Sequence, residues 1–427
     1  MRAQFGGFEL DTETVELSKE GIIVPLRDQP LQVLIALVEH AGNVVTRDQL
    51  RKRLWNDRAF GDFETGLNTA ISRLRQVLND SVENPGFIET IPKRGYRFIA
   101  PVTSASSQNC KPEAYDAFVR GQFLAKRHTP ENIARALEYF DEAIRLDPGW
   151  APPYHGASMV HIVTAIIGVA SPRRAMAAAE QLVARGSDLD PNSATTNRAL
   201  GFLRMFQWRW AEAEAAYRRA MALSPTDPYP HLSYAHQCSF QARHDEALQE
   251  AHKALDLAPV DSLVNFRIVQ CLYFARRYED TVRSARKTIE LAPEFPSTYS
   301  YLARALVETA EVNEAWIIAQ KGRTLGGGQP IMEGMYGYLA GVMQYRAQAA
   351  EVLRELEERR RSSYCPALPI GWTHLGLGNN DAYLDCLDLA FEEQEPFLAS
   401  ECVFPGADPV RNDPRFKHLS HRLGLTH

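Results

Sequence analysis

Five phrases ending in proline recur along the chain: AIRLDP at Pro148, SDLDP at Pro191, MALSP at Pro225, LDLAP at Pro259 and IELAP at Pro293, spaced 43, 34, 34 and 34 residues apart. A fixed period in the thirties is one supersecondary unit repeated, and it restricts the chain to stacks whose neighbours share a core. Small residues return at the same offsets within the units: Ala136 and Ala143, Ala213 and Ala220, Ala247 and Ala254, with Phe140 and Tyr217 between them. Alanine there lets two antiparallel helices approach, the aromatic fills the seam, and proline stops the second helix. The unit ending at Pro191 has nine extra residues, expected in its first helix and the turn around Gly168 to Pro172. Past Pro293 the match loosens, with Tyr299 to Gly322 still fitting and the equivalent proline displaced to Pro330, after Gly326, Gly327 and Gly328. Seven or eight helix pairs are expected, the last a cap.

The segment LGFLRMFQWRWAEAEAAYRRAMALSP, Leu200 to Pro225, resembles the tetratricopeptide repeat, and the closing DPVRNDPRFKHLSHRLGL is similar to the endings of bacterial regulators and cyclase-like proteins that carry such repeats. Stacked pairs offer a concave surface built mainly from their first helices. Arg198, Phe202, Phe206, His236, Phe240, Phe266, Gln270, Phe274 and Arg304 fall at positions that would face it. Aromatics with interspersed polar groups suit a peptide or a protein helix; the alternative is that these phenylalanines are core between repeats.

Before the repeats, TSASSQNCKP (103–112) has no apolar periodicity and ends in proline. It reads as a linker, with a root-mean-square span of about 18 Å if flexible. The domains expected are therefore 1–102, the linker 103–112, and an all-α repeat superhelix at 113–427.

In the first hundred residues the period changes. FGGFEL, TVELS and GIIVPL are short β-branched and aromatic segments separated by DTE and KEG, which predicts a small antiparallel sheet. Pro30 opens an apolar run that stops at Gly42, a first helix. Thr46 to Gln49 forms a T-x-x-Q capping box before Leu50, Leu54 and Trp55. A third helix is expected from Gly66 to Leu78, with Asn79 as its left-handed cap. PGFIETIPKRGYRFIAPV predicts a hairpin with strands Phe87 to Ile91 and Tyr96 to Ala100, where Gly95 is expected to take a positive φ.

Sheet, three helices and hairpin form the layout of a winged helix-turn-helix. LNTAISRLRQVL followed by IETIPKRGYRF resembles the OmpR/PhoB-type DNA-binding domain of response regulators, from Phe5 to Val102. The fold class expected is thus mainly α: an α+β winged helix followed by tetratricopeptide-like repeats. The domain begins at residue 5, so no phosphoacceptor receiver is expected ahead of it. The resemblance is closer to one-component activators of this type, without their transmembrane segment.

At 100° per residue, Leu67, Ala70, Ile71, Leu74, Val77 and Leu78 gather on one side of the third helix. Asn68, Thr69, Ser72 and Gln76 fall opposite, with Arg73 and Arg75 at the rims. Short polar groups suit base edges in the major groove, and long cationic arms suit the phosphate walls. The alternative is a solvated face in which the arginines pair with Asp80 or Glu83. Lys93 and Arg94 at the hairpin tip can reach the adjacent minor groove or its phosphates, and Arg97 is a phosphate candidate. Arg47 and Arg51 could touch backbone, Tyr96 and Phe98 are expected in the core, and the resemblance gives Asn56 to Glu64 as a contact for RNA polymerase or an ordinary exposed loop.

The formal charge of −6, from 47 basic and 53 acidic residues, argues at first against a nucleic-acid partner. It divides unevenly: Leu67 to Arg97 has five basic and three acidic residues, a locally positive face. Six scattered cysteines form no C-x-x-C pair, and the longest apolar run, Ala157 to Ala170, is too short for a bilayer span. The chain is expected to be cytoplasmic, with no cofactor, metal or catalytic residue. His231, His236 and Cys238 make a poor metal set on one helix, and Gly326 to Gly328 lacks the context of a phosphate loop. The function expected is a sequence-specific transcriptional regulator on double-stranded DNA, possible as a homodimer, whose repeats bind a protein or peptide or take in a signal. The other reading is a non-catalytic scaffold using the winged helix as a protein-binding module.

Overall fold

The computed structural model describes residues 2–425 apart from 12–15, 20–21, 25, 27, 43, 55–62, 84, 93, 101, 105–109, 126–129 and 260. It divides into two compact units, Met1–Tyr115 and Asp116–His427.

The first unit opens with strands β1 (Arg2–Phe5), β2 (Phe8–Asp11), β3 (Glu16–Lys19) and β4 (Ile22–Val24). FGGFEL, read above as one segment, is two strands: Gly6 and Gly7 take φ of +52° and +81°, the left-handed pair that a two-residue hairpin turn demands. Phe8, Leu10 and Leu17 turn inward and Glu9 and Ser18 alternate with them, so one face of the sheet covers the core. The core helix α1 (Asp28–Glu39) begins two residues before Pro30, and Val33 to Val38 are all buried, so it is enclosed on every side. Then come β5 (Val44–Thr46), α2 (Arg47–Leu54), α3 (Phe63–Leu78), β6 (Ile88–Ile91), β7 (Gly95–Phe98) and β8 (Thr103–Ser104). The strands form two antiparallel sheets, in the orders β4-β3-β2-β1-β8 and β5-β7-β6. Thr103 and Ser104, at the start of the expected linker, pair with Gln4 and Ala3.

The capping box forms as its residues predict. The Thr46 N–H donates to Gln49 Oε1 at 2.8 Å, and the Gln49 N–H donates to Thr46 Oγ1 at 3.2 Å. Thr46→Ala should therefore cost the first unit about 1 kcal/mol, measured as a lower urea midpoint with an unchanged slope. Trp55 lies outside the described residues.

The second unit is a stack of helix pairs: α4 (Pro112–Ala125) with α5 (Pro130–Leu146), α6 (Pro152–Ile166) with α7 (Pro172–Leu189), α8 (Ala194–Phe206) with α9 (Trp210–Leu223), and α10 (Pro228–Phe240) with α11 (His244–Leu257). It continues with α12 (Ser262–Phe274) and α13 (Tyr278–Leu291), α14 (Pro296–Glu308) and α15 (Val312–Gly326), α16 (Pro330–Val342) and α17 (Arg346–Ser362), and α18 (Ala367–Gly376) and α19 (Asn380–Glu393). The six alanines named above are fully buried, as are Phe140 and Tyr217. Of the extra residues before Pro191, α7 takes more than α6: it has 18 residues against 14 in α9, while α6 has 15 against 13 in α8.

The period does not loosen after Pro293. The residue closing the first helix of a pair takes a left-handed conformation at Trp208, Ala242, Arg276, Ala310, Gln344 and Gly378, all 34 apart. That turn, rather than the proline, keeps the register through three further pairs.

After α19 the chain folds back along the stack in two 3-10 turns, Leu398–Cys402 and Pro405–Val410, and a final helix, α20 (Pro414–Arg422). Trp208 stacks on Phe391 at 4.9 Å, the Trp210 indole donates to Leu423 O at 2.7 Å, and Arg276 grips Asp408 through two bonds of 2.7 Å. Arg173 donates to Glu392 O. The last pair is expected as a cap; the end of α19 and the segment after it lie instead against pairs far earlier in the chain. Among the described residues no helix is long and apolar enough to cross a membrane, and no His, Cys, Asp and Glu cluster could hold a metal ion. His231 pairs with Glu250 at 2.6 Å.

Candidate nucleic-acid interface

Helix α3 begins a turn earlier than expected, at Phe63, and Asn79 takes φ +55° as its cap. Leu67, Ala70, Ile71, Leu74 and Leu78 are buried and Val77 is half-buried, which leaves Asn68, Thr69, Ser72, Arg73 and Gln76 exposed along one strip. Arg73 donates to Gln76 Oε1 at 2.6 Å, and the Thr69 hydroxyl donates to its own helix at Thr65 O, 2.8 Å. Neither arginine of the helix uses Asp80, whose carboxylate accepts the N–H groups of Gly86, Phe87 and Ile88 at 2.7, 3.2 and 2.8 Å and so fixes the start of the wing.

Arg75 does not stand at the rim as the helical projection places it. It is half-buried and donates to Ile88 O at 2.8 Å and Thr90 Oγ1 at 2.9 Å, both on β6. Its first role is to bind the helix to the wing. Between them lies a cavity of about 430 Å³ lined by Asn68, Ser72, Arg75, Gln76, Thr90 and Tyr96, among others.

A second link was not anticipated from sequence. Arg47 reaches Glu64 at 2.5 Å and donates to the Tyr96 hydroxyl at 2.9 Å, and that hydroxyl donates to Asn68 Oδ1 at 3.1 Å. With its carbonyl occupied, Asn68 turns its amide N–H groups outward as donors. Arg47 and Tyr96 stand 49 residues apart and meet because Val45 pairs with Tyr96.

Gly95 does not take a positive φ. It is needed for close approach: a Cβ there would lie 2.0 Å from Val45 O and 2.9 Å from Thr46 Cα. Arg94 is exposed at the hairpin tip, and Arg97 faces Glu89 across the ladder at 3.5 Å. Lys93, and Asn56 to Asp62 of the loop before α3, lie outside the described residues.

The inner-surface candidates of the repeats are not open. Phe206, His236, Phe240, Phe266, Gln270, Phe274 and Arg304 are buried, and Arg198 and Phe202 are half-buried. Edge contacts run from Phe202 to Phe206 at 4.9 Å and from Phe240 to Phe274 at 6.2 Å, and Phe404 of the closing segment lies 5.6 Å from the Arg304 guanidinium. The neighbouring repeat thus covers Phe240 and Phe274, and the closing segment covers Arg304.

The family model described as transcriptional regulatory protein, C terminal, matches residues 21–98. The chain is 37% identical over 84 residues to the cholera toxin homolog transcriptional activator of Vibrio parahaemolyticus, and 33% over 86 residues to the cholera toxin transcriptional activator of Vibrio cholerae. Each match covers 20% of this chain and 29% of the relative, so the chain spans less than a third of the length of these two relatives. A solved DNA-binding domain, that of Klebsiella pneumoniae RstA in complex with the RstA box, is 30% identical and covers 23% of this chain and 96% of its own, at a TM-score of 0.21. Residues 21–98 thus form an OmpR/PhoB-type winged helix-turn-helix of the family described as transcriptional regulatory protein, C terminal, placed here ahead of a stack of tetratricopeptide-like helical pairs.

Proposed function

We propose that the chain is a sequence-specific DNA-binding transcriptional regulator, with α3 in the major groove and the β6–β7 wing on adjacent backbone or in the minor groove. One observation carries this reading: the strip Asn68, Thr69, Ser72, Arg73 and Gln76 is exposed on a helix that Arg75 and Asn68 lock to a basic-tipped hairpin. Asn68, Ser72 and Gln76 read base edges, Arg73 and Arg94 hold phosphates, and Arg75 and Arg97 support the wing. Lys93 adds a phosphate contact at the tip. RNA polymerase is a further partner through residues 56–64, and a second copy on a repeated half-site raises affinity. The repeats supply protein contact or signal input.

The test is a titration of the full chain against a genomic fragment pool at several salt concentrations. Specific binding should weaken with salt at a log–log slope of roughly −5 to −9, as for about 6 to 10 neutralised phosphates. Arg73→Ala should weaken it about tenfold and lower that slope by about one. Absence of binding at low salt would refute the proposal.

A further inference from the structure

A guanidinium keeps its charge in a protein, so a buried arginine is normally matched with a carboxylate. Two arginines on the first helices of consecutive repeats lack one. Arg267 on α12 is 7% exposed and Arg304 on α14 is 6% exposed. Among the described residues neither forms an ion pair: the polar neighbours of Arg267 are Cys271, Tyr301, Tyr217 and Gln270, and Arg304 Nε reaches only Ser300 O of its own helix, at 3.3 Å. The two are linked through one bridge. Arg267 donates to Gln270 Oε1, the Gln270 amide donates to the Tyr301 hydroxyl at 2.7 Å, and the Arg304 guanidinium lies 3.8 Å from the centre of the Tyr301 ring.

Further polar atoms nearby are left over. Arg267 Nε has no acceptor, and both ring nitrogens of His236, on α10 in the preceding repeat, are buried without a partner. Burial, reinforced by the Arg267 charge, holds the His236 pKa well below its usual value, so the ring is neutral, with one donor and one acceptor nitrogen. The Glu401 carboxyl, which feels the Arg304 charge, is already engaged by the Trp372 indole and the Tyr383 hydroxyl. An unpaired charge in such surroundings is destabilising, and a bound anion would offset that while accepting the idle donors.

We propose that the inner face of α10, α12 and α14 is a binding site for a small molecule carrying a carboxylate or phosphate group, held by Arg267 and Arg304 with His236 as a further donor. The 3-10 turn Leu398–Cys402 packs against α10, and Phe404 stands over Arg304, so the bound group is shielded from water, where charge-assisted hydrogen bonds are strongest. The proposal is independent of DNA binding.

Thermal unfolding of the full chain with inorganic phosphate or with succinate, each against chloride at matched ionic strength, tests the site and separates the two chemistries. At least one probe should raise the midpoint saturably by several degrees, and Arg267→Met should abolish that rise while leaving the probe-free midpoint equal or higher, because it deletes an unpaired buried charge. In the wild-type chain the assigned His236 ring resonances should move with the same probe, a readout that needs no variant. No shift with either probe, a rise that survives both Arg267→Met and Arg304→Met, or His236 signals that stay still would each overturn the proposal; water as the sole occupant would give the first result.

Discussion

Gly95→Ala should detach the wing from β5 and weaken DNA binding at least a hundredfold. The added methyl would lie 2.0 Å from Val45 O, far inside contact distance and against backbone that cannot rotate away. Relief requires β5 and β7 to separate, which breaks the Thr46–Gly95 and Val45–Tyr96 pairs and with them the Arg47–Tyr96–Asn68 chain. A clash of this kind in a buried ladder costs about 3 to 5 kcal/mol. Because about 1.4 kcal/mol is a factor of ten, a loss of that size spent on the docked wing lowers affinity at least a hundredfold. Gly86→Ala is the control, since its methyl would meet only the Asp80 carboxylate, at 3.7 Å. Circular dichroism during urea unfolding should show an early transition in G95A alone. Equal midpoints for G95A and G86A would remove this account of the wing.

Raising the pH from 6 to 9 should weaken the hold of the closing segment on the repeats. Glu395 and Glu401 are fully buried, and burial pushes both carboxyls up to about 7. Glu395 accepts the N–H groups of Ala367 and Leu368, and Glu401 accepts from Trp372 and Tyr383. Their folded pKa values lie above the unfolded value of 4.5, so the native state binds more protons between about 4.5 and 7. Stability from these groups is complete below about 4.5 and is lost as pH rises through about 7. A shift of this size is up to about 3 kcal/mol for each group over the whole window, of which about 1.4 kcal/mol is lost above pH 6. Five of the six tryptophans fall in the second unit, so fluorescence-monitored urea unfolding reads it. The midpoint should fall from pH 6 to 9, and Glu401→Gln should flatten part of the fall. An unchanged midpoint across that range would sink the prediction.

What could be read from sequence was whatever repeats or sits close along the chain. The alanine offsets, the T-x-x-Q cap and the Asn79 cap are local, and each side chain there does what its spacing predicts. β5 escaped because three residues between Gly42 and a helix cap have no alternation of their own, and they become a strand only when β7 pairs with them. Arg75 was misplaced for a related reason: a helical projection treats its surroundings as empty, and β6 supplies two acceptors. The aromatic positions lie on the first helices, but side chains of the neighbouring repeats cover them, and Arg304 is covered by Phe404, 100 positions away. Gly95 was recognised as a necessary glycine, but for its turn rather than for the backbone it touches.

The return of residues 391–425 along the stack changes how the second unit should come apart. An open solenoid frays from its ends, each pair answering only to its neighbours. Here Arg173 meets Glu392 and Trp210 meets Leu423, contacts spanning 219 and 213 positions. Such contacts join distant pairs into one cooperative block, raise the contact order and slow folding. During synthesis the early pairs emerge well before residues 391–425, so Trp208 and Trp210 stay without their partners until the chain is complete.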